Sequence, residues 1–127
     1  MGNVAFKGPE ELAEERRQSL LRELEQKRKG EEAEGVVING VRYAGDPSNR
    51  QALLEVVQFA REAGITEFPS WKDSDGSFRQ GHPLTEVEQA LMQIATRRGA
   101  LIALESGYAA QILAGVLTEV DGLNWGV

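Results

Sequence analysis

His82 is the single histidine of this chain and there is no cysteine. A zinc or other transition-metal site would therefore lack a second imidazole and any thiolate. Asp73-Ser74-Asp75-Gly76 resembles the start of a calcium loop. A complete loop needs a bidentate Glu at its twelfth position, and counting from Asp73 that position is Leu84. Two carboxylates in so short a loop are expected to form a turn. Glycine-rich phosphate loops are absent, and residue types and spacing assemble no nucleophile, base and orienting group. The expectation is no enzyme, no cofactor and no metal. Arg98 and Glu105 fall seven apart near an otherwise apolar stripe. They either flank the core face in solvent, or pair across a helix–helix interface and fix its register.

The element that carries these two charges organises the chain. Pro83-Leu84-Thr85-Glu86-Val87-Glu88 reads as a helix start, with Thr85 and Glu88 as a capping box. Apolar residues then recur at helical spacing through Val87, Leu91, Ile94, Leu101, Leu104, Tyr108, Ile112 and Val116. A continuous helix of about 30 residues would span roughly 45–50 Å at 1.5 Å per residue. On it, Ala95, Gly99, Ala103, Gly107 and Gly115 make a four-residue row broken only by Gln111. Such a row is a ridge along which a second helix can approach closely. Interior glycine costs about 1 kcal/mol against alanine, so three in one row predict a contact that offsets that cost. Together with Ile112, Val116 and Trp125, the row forms the candidate interface.

The rest of the chain frames this helix. Residues 1–35 form a charged, nearly balanced arm with a helix expected after Gly8-Pro9. Its apolar residues Leu12, Ala13, Leu20, Leu21 and Leu24 are too sparse for sustained heptads, so a solvated or bridging helix is expected. A compact domain over 36–120 follows. Val36–Tyr43 reads as a hairpin around Asn39-Gly40, with Val36, Ile38, Val41 and Tyr43 on the core face. Asp46 and Pro47 start a helix that Gly64 closes. A second hairpin from Phe68 to Gln80, with a loop Asp73–Gly76, sets Trp71 opposite Phe78. Residues 121–127 are a tail whose Trp125 either docks on its own domain or anchors a partner. The fold class is α+β, in the order polar helix, hairpin, helix, hairpin, long helix, with a small antiparallel sheet packed on helices.

The net charge of −6 argues against a nucleic-acid backbone as partner, which calls for a basic face. Gly99–Leu117 is the most apolar stretch, but Glu105, Ser106 and Gln111 within it and Arg97 and Arg98 before it argue against a membrane span. Met1–Lys7 has no apolar run, so no secretory signal is expected, and Phe6 departs from the myristoylation pattern.

Three signatures agree in order and spacing: Asn39-Gly40-Val41 with Tyr43, Trp71-Lys72-Asp73 with Asp75, and His82 with Leu84-Thr85 before a long helix. Over about residues 36–115 the chain resembles a small domain of unknown function that recurs in tailed bacteriophages and prophages. That domain occurs in tail fibre proteins and in small proteins encoded beside the tail genes. The resemblance transfers no catalytic residue. It implies a structural or interaction protein of a tail, baseplate or tail fibre, located in the virion and made in the host cytoplasm, with other tail or fibre proteins as partners. The alternative is a non-virion accessory such as a fibre-assembly chaperone or small regulator. A homo-oligomer is expected; the fibre resemblance favours a trimer, while the ridge alone fits a dimer equally.

Overall fold

The computed structural model describes residues 6–127; the expectations placed on the extreme N-terminus fall mostly outside them. Helix α1 (Pro9–Glu34) precedes a hairpin of β1 (Val36–Ile38) and β2 (Val41–Tyr43), helix α2 (Pro47–Ala63), a hairpin of β3 (Glu67–Lys72) and β4 (Phe78–Pro83), and helix α3 (Leu84–Leu113). This is the expected α+β order, with two separate two-stranded antiparallel sheets.

The first hairpin follows its turn chemistry. Asn39 and Gly40 both take positive φ, 51° and 77°, as a type I′ turn requires. Val36 pairs with Tyr43 and Ile38 with Val41. Ile38, Val41 and Tyr43 are buried, while Val37 is 64% exposed, the face assignment expected from alternation. Asp46 and Pro47 begin α2, and Gly64 ends it in the left-handed conformation.

The second hairpin is one residue out of the expected register. Trp71 faces Arg79, and Phe78 faces Lys72. The loop is longer by Ser77 because Asp73 ties it down. One Asp73 carboxylate oxygen accepts the amides of Asp75 (3.0 Å) and Ser77 (2.9 Å), and the Asp73 amide donates to the Ser77 carbonyl. These bonds, with Arg79 beside the carboxylate, hold Asp73 below the usual carboxylate range against the opposing effect of burial.

Helix α3 starts without the capping box. Strand β4 runs directly into it, Pro83 occupies the N-cap position, and Thr85 is exposed in the first turn. Glu88 is taken instead by Arg61 of α2, at 2.6 Å. The helix ends at Leu113, and Gly115 lies beyond it in a turn at φ +75°. Gly115 and Val116 are therefore not part of the helical row.

Two cores share α3. The first joins both hairpins, α2 and the first half of α3 through residues such as Tyr43, Leu53, Val57, Val87 and Ile94. The second joins α1, the second half of α3 and the tail through Leu20, Leu24, Leu101, Ile112, Val120 and Trp125. Helix α1 is thus not a solvated arm throughout: Leu24 is fully buried and Leu20 nearly so. The sparse leucines of α1 suffice because they fall on one stripe that α3 and the tail close from both sides.

Candidate interaction surface

Between Met92 and Leu113, α3 carries three charged residues, Arg97, Arg98 and Glu105. All three are turned toward α1. Arg97 reaches the backbone carbonyl and the carboxylate of Glu31. Arg98 lies 2.8 Å from the Glu32 carboxylate. Glu105 accepts from Arg28 at 2.6 Å, and Arg28 also donates to Glu32 at 2.7 Å. Both charges pair with α1 across the helix–helix contact, Glu105 part-buried and Arg98 still exposed to solvent along its side chain. Glu32 is buried, so removing one partner from this network would leave a desolvated charge uncompensated.

The opposite side of α3 is left without charge over about six turns, or roughly 30 Å. Ala95, Gly99, Ala103 and Gly107 lie there, all exposed, with Met92, Thr96, Ile102, Ser106, Ala110 and Leu113. A Cβ built on Gly99 or Gly107 meets nothing within 4 Å, so no element among the described residues makes use of their small size. Met92 is 73% and Leu113 57% exposed. The face has one legible signal in sequence, the absence of Asp, Glu, Lys and Arg at its positions, but the small-residue row alone does not reveal Met92, Ile102 and Leu113.

The other predicted interface residues are placed elsewhere. Ile112 is fully buried in the second core. Trp125 is buried beside it, edge-on to Tyr108 at 5.4 Å between ring centres, and the Tyr108 hydroxyl donates to the Asn124 carbonyl. The tail docks on its own chain, helped by Lys27 pairing with Asp121 at 3.0 Å. Val116 is 74% exposed in the turn after α3.

A second cluster gathers the signature residues that the sequence left scattered. The Tyr43 hydroxyl donates to Glu86 at 2.7 Å and meets His82 Nε2 at 2.5 Å. A hydroxyl that donates to Glu86 accepts from His82, so the imidazole carries a proton on Nε2. Asn39 donates to the other Glu86 oxygen at 2.8 Å. Trp71 stacks on the His82 ring, 5.2 Å between centres and 19° between planes. Burial, with Glu86 adding to it, pushes the Tyr43 phenol far up. Burial holds His82 below its ordinary value of 6.5. It would raise Glu86, but the bonds from Asn39 and Tyr43 outweigh it and keep that carboxyl below 4.5. The cluster ties both hairpins to the first turn of α3. Glu86 was read only as part of a helix start, and nothing in its spacing points to Tyr43.

Among the described residues no group of three or more His, Asp or Glu is placed to hold a metal ion, and no helix is long and apolar enough to cross a membrane. The Asp73 carboxylate serves the turn, and that of Asp75 is engaged by Arg42 of the first hairpin at 2.8 Å. No curated protein and no solved structure matches the chain. A family model does match, over residues 15–123, and so includes most of α1, which the sequence reading placed outside the resemblance. By that match the chain belongs to the family of the domain of unknown function DUF4376.

Proposed function

We propose that this is a non-enzymatic interaction protein that works by self-association through the outer face of α3, as a repeated component of a bacteriophage tail, baseplate or tail fibre. The observation that carries the self-association is the charge-free exposed face from Met92 to Leu113. Copies of a chain with net charge −6 repel one another across most of their surface, and this face is where they can meet without opposing like charges. The tail assignment rests on the resemblance of the Asn39–Tyr43, Trp71–Asp75 and His82–Thr85 signatures alone.

Sedimentation equilibrium from micromolar to sub-millimolar concentration tests the first part; a chain that stays monomeric throughout overturns it. Mass spectrometry of purified particles tests the second. A virion component persists at fixed stoichiometry, whereas its absence from the particle would favour the assembly-chaperone or regulator reading.

A further inference from the structure

The end of the chain is seated on α1 in the way a separate peptide would be. Helix α3 stops at Leu113, and the chain reverses through 114–117, with Gly115 in the left-handed conformation. From Thr118 onward it lies along α1, running in the same direction as that helix. Arg16 donates to the Thr118 carbonyl, Lys27 pairs with Asp121, and Leu123 and Trp125 lie beside Gly30 and Glu34. Among the described residues no backbone-to-backbone hydrogen bond joins 118–127 to α1 or α3. Side chains hold the segment instead. Val120 and Trp125 are buried in the second core, and Leu123 packs against it. A cleft of about 380 Å³ remains between the segment and α1, so the groove is occupied but not filled.

Such a seat does not depend on which chain supplies the segment. The contacts that hold it join 118–127 to α1 and α3, so the same segment of a second copy remakes every one of them. Leaving the seat breaks no ladder and no helix, and only the reversal at 114–117 has to straighten. Short hinges invite exchange, and exchange of an identical segment is a low-cost route to a dimer. We infer that the groove between α1 and the second half of α3 is a peptide-binding groove, and that its partner is the 118–127 segment of a second copy, exchanged reciprocally. The chemistry it selects is visible in the occupant. Val120, Leu123 and Trp125 are the apolar anchors, and Asp121 supplies an acid for Lys27. Within one chain the short linker holds the segment at an effective concentration of about a millimolar. Exchange therefore becomes appreciable near that chain concentration, or wherever copies are held side by side. It makes no use of the outer face of α3, so the two contacts stand or fall separately.

The chain has no cysteine, so introduced thiols report cleanly. Lys27 and Asp121 are both exposed and meet across the groove. The test uses the full chain as Lys27→Cys, as Asp121→Cys and as the double variant. Dilute double variant treated with a short bismaleimide should close within one chain. Failure to close shows that 118–127 does not lie on α1 and overturns the groove. The two single variants are then mixed, unfolded in urea, refolded together at about 1 mM and treated in the same way. The expected product is a covalent dimer holding one of each, at several times the yield from Lys27→Cys mixed with Gln58→Cys, an exposed α2 position. A yield no higher than that control, with the double variant closing normally, overturns the exchange. Sedimentation of the closed double variant keeps this result apart from the self-association proposed above. That chain cannot exchange its segment but retains the outer face of α3, so any association it shows belongs to that face.

Discussion

At Tyr43 one hydroxyl joins β2, β4 and α3, because it contacts His82 and Glu86 together. Tyr43→Phe keeps the ring against Trp71 and removes only this link. Glu86 retains Asn39, so the expected loss is about 1–3 kcal/mol, the cost of leaving a buried polar group short of a partner; chemical denaturation measures it. The same cluster sets an acid limit. His82 binds its proton less readily folded than unfolded, so below about pH 6.5 the unfolded chain takes up protons first and stability falls as pH drops through that value. Glu86, also depressed, adds a second loss as pH falls below about 4.5. The melting temperature is expected to decline on going from pH 7.5 to 5.5, and His82→Gln to flatten that part of the curve. An unchanged slope in the variant would place the titration elsewhere. Sequence showed the motif residues but not their meeting, because Tyr43, His82 and Glu86 are brought together by two hairpins that make no ladder with each other.

Elements set by local chemistry were legible in the chain, and elements set by tertiary contact were not. Asn39-Gly40 and Gly64 are required by backbone conformation, so the first hairpin and the end of α2 could be placed from composition. The start of α3 falls where Pro83–Glu88 places it, but the loss of its capping box could not be read, because a strand enters it directly and the Glu88 carboxylate is drawn to Arg61. Nor could the packing of α1, whose polar composition hides a stripe that matters only beside Leu101 and Ile112. That packing has a measurable weight. Leu24 is fully buried, and Leu24→Ala is expected to destabilise the fold by about 2–5 kcal/mol. The second core contains the tail as well, so Trp125→Ala is expected to weaken α1 in the same way. Hydrogen exchange would show the loss in α1 and the second half of α3, while α2 and both hairpins stay protected. Loss of protection everywhere would mean that the two cores unfold as one unit.

For the molecule as a whole, the glycines of α3 distinguish a helix that stands alone from one that pairs. A Cβ at position 107 meets nothing within 4 Å among the described residues, so in the monomer Gly107→Leu replaces a poor helix former by a good one and should gain about 1 kcal/mol. If copies pack on this face as proposed, that leucine presses on the facing surface. Overpacking costs roughly 1–3 kcal/mol. Each 1.4 kcal/mol is a factor of ten in affinity, so association should weaken by about tenfold or more. The two effects have opposite signs in two measurements on one variant. The melting temperature at low concentration should rise, and the sedimentation profile at high concentration should shift toward monomer. A variant that melts higher and associates as the parent does would remove Gly107 from the interface. A variant that melts lower in the monomer would show that position 107 is crowded within the chain, contrary to the open space seen at its Cβ.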